Sequence, residues 1–315
     1  MFIRCCLNSK MTLFQIHERL HIVSHIFSAY LLSITFFAVV LCNVIPMYCN
    51  YAAGYFETSG PLVNGSFQHS VYCLYPFDFE KTLDGYIAGA IIGGYASSLC
   101  GCCVCAFDLL LCLMIFNLWG HFKILIHNLD SFPRPAAART DTNKACHNAT
   151  IVGSEMYSKS ELEDVAIQLK ECIEHHKVIS NFTNRMSDAF GFSLGFYYFF
   201  HQVAGCLLLL QCSDVSLGSL TRYIPVTTII FGELILISVI FESIGSMSEK
   251  LKDAVYNVPW EYMDTKNRKT VLIFLIRVQE PIHVKAGGMV KVGVTTMASI
   301  LRTSLSYYAF IRKFS

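Results

Sequence analysis

The chain has 315 residues, 54% of them hydrophobic and only 15% charged, with a formal net charge of +1 and a mean hydropathy of +0.47. Soluble domains carry about 25% charged residues, so this composition points to a chain solvated largely by lipid. The balanced charge withholds the electrostatic driver of nucleic-acid binding. The 14 cysteines, many inside apolar runs, do not describe a disulfide-rich secreted module.

Residues 1–20 read as a cytoplasmic N-terminal segment. A crossing helix needs about 20 apolar residues. Leu20 to Phe56 holds no Asp, Glu, Lys or Arg, with Ile26 to Met47 as its apolar heart, and gives span A. This run starts too late and is too long for a secretory signal. Residues 48–84 form an outer loop with the sequon Asn64-Gly65-Ser66, a glycosylation candidate. Gly85 to Leu118 is span B, with Asp108 near its far end, so that 21–118 holds the first two crossings. Gly85, Gly89 and Gly93 leave one face bare, and a neighbouring helix is expected to approach there. Cys100, Cys102, Cys103 and Cys105 lack the paired spacing of a zinc site and read as small packing residues.

Residues 119–188 form an inner loop and an amphipathic helix. Phe132 to Val152 is rich in Ala, Thr, Asn and Pro and reads as a loop. Ser160-Glu161-Leu162-Glu163 has a capping-box pattern. Leu162, Val165, Ala166, Leu169, Cys172, Ile173 and His176 then fall on one helical stripe. The spacing predicts a helix from Ser160 to Met186 that leads into span C. Glu174-His175-His176 lacks the H-E-x-x-H spacing and reads as a solvated face. Span C is Ala189 to Ser213 and span D is Tyr223 to Phe241, interrupted by Glu233; together they occupy 189–245. Residues 246–285 form inner anchor helices, one over Lys266 to Gln279, whose apolar patch from Val271 to Ile276 wants a partner surface. Span E, Ala286 to Phe310, carries Lys291 and Arg302 and ends in a short outer tail, giving 286–315.

The expected fold is an all-α polytopic membrane bundle, because helices satisfy their own backbone groups in lipid. With the N-terminus inside, the inner segments hold 18 basic residues and the outer ones 4, as the positive-inside rule requires. Asp108 and Lys291 then lie toward the inner membrane face, where snorkelling or a local ion pair accounts for both. The outer halves of the spans offer Phe36, Phe37, Tyr86, Tyr95, Phe200 and Tyr223, an aromatic set suited to a small lipophilic ligand. No catalytic motif, phosphate loop or cofactor motif occurs, so no enzyme and no cofactor is expected.

Several short motifs carry a resemblance. Ala254-Val255-Tyr256 with Trp260, Lys266-Asn267-Arg268-Lys269, Gln279-Glu280-Pro281, Ala286-Gly287-Gly288 and Ile300-Leu301-Arg302-Thr303-Ser304-Leu305-Ser306-Tyr307-Tyr308 follow in order. Upstream stand Tyr75-Pro76-Phe77-Asp78 and the pattern Cys172, His176, Ile179. Together they resemble the insect odorant receptors, with a moth- or butterfly-like ending. The resemblance implies seven membrane helices, of which spans A to E match the third to seventh; an N-terminally truncated chain and an incomplete pocket are expected. It also implies an odorant-gated, non-selective cation channel that forms a hetero-tetramer with an olfactory co-receptor. The expected place is the plasma membrane of the olfactory neuron dendrite. Span E would line the pore, with Arg302, Ser306 and Phe310 as pore or gate candidates. The alternatives are a gustatory receptor of the same superfamily and a non-functional truncated fragment.

Overall fold

The computed structural model describes the backbone of residues 2–57, 60–62, 65–73, 76–135, 156–212 and 217–314. Side chains are described for these except in 2–13, 217–222 and 313–314. Asn64 and Tyr75 lie outside the described residues.

Among the described residues the chain forms six α-helices. They are α1 (Phe2–Ala52), α2 (Leu83–Asp130), α3 (Lys159–Cys212), α4 (Leu217–Tyr256), α5 (Thr265–Val278) and α6 (Val294–Phe314). A two-stranded hairpin, β1 (Lys285–Ala286) with β2 (Val290–Lys291), precedes α6. The chain is an all-α, multi-pass membrane protein. Four helices, α1 to α4, are both long enough and apolar enough to cross a membrane.

Five such spans are expected from the sequence, and the difference lies at the last. Residues 286–293 are not helical: they turn through the hairpin, where Gly287 (φ +57°) and Gly288 (φ +73°) take left-handed conformations that favour glycine. Lys291 therefore sits on β2, outside the helix. Helix α6 has 21 residues, about 31 Å at 1.5 Å per residue, but Arg302 and Arg312 interrupt its apolar character.

The first four helices overshoot a bilayer. Helix α3 alone has 54 residues, about 80 Å, against a hydrocarbon core of about 30 Å. Its apolar part is the stretch from Ala189 onward, so the stripe before it lies outside the hydrocarbon. The start is set by Ser158 and Glu161. Ser158 N–H donates to Glu161 Oε2 (2.8 Å), and Glu161 N–H to Ser158 Oγ (3.4 Å). The capping box thus stands two residues before the expected Ser160–Glu163 pair.

The chain divides into two compact units. The first comprises residues 1–20, 114–202 and 234–303. Its core takes the α3 stripe, with Val165, Leu169, Cys172, His176, Ile179 and Met186 buried, and the buried α5 residues Val271, Phe274 and Val278. Asp264 caps α5 by accepting from Asn267 N–H, and Asn267 Nδ2 donates to Leu162 O (3.2 Å). The solvated face expected at Glu174-His175-His176 is corrected here. His176 is buried with its ring edge on Phe274, and His175 Nε2 lies 3.2 Å from His121 Nδ1. Glu174 alone of the three is solvated, pairing with Lys177.

The hairpin belongs to this unit. Gly287 N–H donates to Gly191 O (2.8 Å), and a Cβ on Gly191 would sit 3.1 Å from Lys285 O. Glu242 Oε2 accepts from Val294 N–H (3.0 Å), satisfying one of the orphan donors at the start of α6.

The second unit comprises residues 21–113, 203–233 and 304–315. It contains the cavity described next.

Candidate ligand cavity

Helix α1 places Thr35, Val39, Asn43 and Pro46 on one stripe by their spacing. Asn43 Nδ2 donates to Val39 O (2.8 Å) and to Ser97 Oγ (2.9 Å) of α2, joining the two helices. Glycines let them approach. A Cβ on Gly94 would lie 3.5 Å from Asn43 Oδ1, and one on Gly101 2.7 Å from Val39 Cγ2.

The connection after α1 folds back onto this pair. Asn50 is fully buried and bonds Gln68 twice, accepting from its N–H and donating to its carbonyl, both at 2.8 Å. Leu62 N–H donates to Lys81 O and Phe67 N–H to Glu80 O. The Phe67 ring stacks on Tyr86 at 4.7 Å, and His69 lies 5.0 Å from the same ring. His69 Nε2 sits 2.9 Å from Phe79 O, so that nitrogen carries the hydrogen. Asp78 closes the segment by accepting from the N–H groups of Glu80 and Lys81.

This connection, not another helix, occupies the glycine stripe of α2. Gly85 faces Asp78 O, where a Cβ would come within 2.0 Å. Gly89 faces His69 and Phe79, and Gly93 faces Ser70 and Val71. The bare face admits backbone and an aromatic ring that no larger residue would allow.

Between α1, α2 and this connection lies a cavity of about 1000 Å³. Its wall is mainly apolar: Leu32, Phe36, Val39, Val40, Val44 and Met47 from α1, and Ala90, Cys102, Cys105, Ala106 and Leu109 from α2. A few polar groups interrupt it, among them Thr35, Asn43, Gln68, His69 and Ser98. That composition is typical of small-molecule sites.

Of the six aromatic candidates, Phe36 and Tyr86 line this cavity. Phe37, Tyr95, Phe200 and Tyr223 do not. Phe37 packs edge-on to Phe36, Tyr95 is exposed, and Phe200 packs against His201. Asn43 and Asn50 go unnoticed in the sequence, although two amides seven residues apart in an apolar helix mark a common face. On α6, Met297, Ile300 and Ser304 are buried. Arg302, Ser306 and Phe310 follow one another at four-residue steps on the exposed face.

Deeper along α2, Asp108 is 1% exposed and lies beside Glu233 of α4. Apart from the Glu233 carboxyl, neither of its oxygens meets a hydrogen-bond donor among the described residues. Among the described residues Asp108 therefore neither snorkels nor pairs with a base, unlike the local account expected for it from the sequence.

Residues 7–305 match the family described as 7tm Odorant receptor. The chain belongs to the 7tm odorant receptor family. This odorant receptor chain is 25% identical over 154 residues to Odorant receptor Or2 of Anopheles gambiae, covering 46% of this chain and 39% of that one. It is 23% identical over 244 residues to Putative odorant receptor 85d of Drosophila melanogaster, covering 76% and 53%. It thus spans about half or less of the length of the curated relatives it matches. In fold it is similar to the insect olfactory receptor OR5 from Machilis hrabei. The TM-score is 0.73 at 16% identity, covering 98% of this odorant receptor chain and 70% of OR5. A second structure of OR5, in complex with eugenol, matches with a TM-score of 0.72.

Proposed function

We propose that this chain detects a small, volatile or lipophilic molecule in the cavity between α1 and α2 and thereby gates a non-selective cation channel. The cavity carries the reading: about 1000 Å³, walled by aliphatic and aromatic groups with few polar ones, it suits a ligand of low polarity. A similar structure holding eugenol supports an odorant of that size. The channel is a hetero-tetramer with an olfactory co-receptor in the plasma membrane of the sensory dendrite, the N-terminus facing the cytoplasm. Helix α6 borders the ion path through Arg302, Ser306 and Phe310, and Asn64 carries the sugar. An odorant that binds the open state better shifts the gating equilibrium by its differential affinity, about 1.4 kcal/mol per tenfold.

The test is co-expression with an olfactory co-receptor and recording of current against a panel of volatiles. A ligand-dependent cation current is expected, weakened when Val40→Trp fills the cavity. Current that survives this substitution for every active ligand would move the site elsewhere.

A further inference from the structure

The polar spot where α1 meets α2 has an unequal hydrogen-bond inventory. Asn43 has two amide hydrogens, and both are committed, to Val39 O (2.8 Å) and Ser97 Oγ (2.9 Å). Val39 O can only accept, so the orientation of the amide is fixed and Oδ1 is the atom aimed at Gly94. Ser97 gives its hydrogen to the nearer Gly94 O (3.1 Å), which leaves only a 3.4 Å approach to Asn43 Oδ1. Ser98 Oγ donates to Gly94 O (2.7 Å) and Thr35 Oγ1 to Leu31 O (2.9 Å). Thr35, Asn43 and Ser98 all line the cavity. Each has spent its hydrogens on the protein and keeps oxygen lone pairs.

We infer that the cavity selects ligands with a hydroxyl group, an alcohol or phenol, over carbonyl compounds and ethers of the same size, with Asn43 Oδ1 and Ser98 Oγ accepting the ligand's hydrogen. A ligand oxygen without hydrogen placed against Asn43 Oδ1 and Ser98 Oγ meets their lone pairs and loses the hydrogen bond it had in water. Gln68, His69 and Ser70 of the connection and Tyr86 of α2 also reach the lining. Tyr86 lies eleven residues before Ser97, about 17 Å along the helix, and serves a different end of the ligand. The inference rests on the cavity being the ligand site and adds the chemical class it takes.

The experiment uses the full chain in lipid nanodiscs. 1-Octanol, octanal and 1-methoxyoctane compete with the fluorescent probe N-phenyl-1-naphthylamine, with empty nanodiscs as background. The expected result is that octanol displaces the probe at about fivefold lower concentration than either of the others, one net hydrogen bond of about 1 kcal/mol. Asn43→Leu removes the acceptor and reduces this ratio toward one. Gly94→Ala does the same by a second route. Its Cβ lies in ordinary van der Waals contact with Oδ1 and shields it while the Asn43–Ser97 bond stays in place. Equal displacement by the three compounds, or tighter binding of octanal, overturns the inference. So does an alcohol preference that both variants retain, because the hydroxyl then sits elsewhere. Displacement without alcohol preference leaves the cavity reading standing. If none of the three displaces the probe, the cavity reading and this inference fall together.

Discussion

Asn50 and Gln68 hold each other by two hydrogen bonds of 2.8 Å, side-chain amide to backbone, at a position with no solvent exposure. The amide does for the connection what a neighbouring strand does in a sheet. It satisfies both backbone groups of Gln68 and sets the level at which His69 and Ser70 enter the cavity wall.

Asn50→Leu is therefore expected to cost about 2 kcal/mol, two net hydrogen bonds at about 1 kcal/mol each. Apolar burial remains, so the loss is confined to the connection. Hydrogen exchange would show faster opening of residues 65–82 with α1 and α2 protected as before. Unchanged exchange in that segment would mean that Phe67 and Tyr86 hold it without the amide.

Asp108 is buried beside Glu233, with no donor for either oxygen other than that carboxyl among the described residues. A carboxyl group in that position is destabilising, by about 1–3 kcal/mol for an unsatisfied buried polar group. Asp108→Leu should raise the thermal midpoint of the chain in detergent, as replacement of buried ionisable groups by apolar ones often does. A lower midpoint would show that the two acids make a favourable contact with each other.

His176 titrates in the helical segment ahead of the apolar part of α3. Burial, and then the nearby Arg277, lower its pKa from 6.5 to about 4. The unfolded chain therefore binds more protons than the folded one between these values, and stability rises with pH there. Folding free energy is expected to be constant above about pH 7 and to fall as pH drops from 6.5 toward 4. Denaturation of wild type and His176→Phe across about pH 4.5–7.5 measures it. The variant should lose part of the acid sensitivity, and identical pH slopes would assign that sensitivity to other groups.

Phe310 is 62% exposed on α6 and follows Arg302 and Ser306 on one face. If that face borders the ion path, Phe310→Ala should widen its narrowest apolar ring and change basal current or relative cation permeability. The same currents in wild type and variant would remove Phe310 from the gate.

Local patterns were the legible part of this fold. Of the α3 stripe from Leu162 to His176, Val165, Leu169, Cys172 and His176 are buried and Leu162, Ala166 and Ile173 half-buried along its edge, and α5 runs within one residue of the span expected from its sequence. What escaped was set by distant partners. The glycines at 85, 89 and 93 announce a close approach, but only the folded connection reveals that Asp78, His69 and Ser70 make it. Apolar residues continue through 286–310, yet the two left-handed glycines at 287 and 288 begin the last helix at Val294. Aromatic content alone pointed to six cavity residues, of which Phe36 and Tyr86 line it, because helix rotation decides which ring faces inward. The polar members, Asn43 and Ser98, depend on the pairing of α1 with α2.

The first turn of α6 is fastened at its amino end by the Glu242 carboxylate on Val294 and, a few residues earlier, by the Gly287–Gly191 bond. A piston-like slide of this helix along its own axis would break both fastenings together. The start of α6 is thereby moored to α3 and α4 alike, and the helix cannot leave either without giving up a backbone partner.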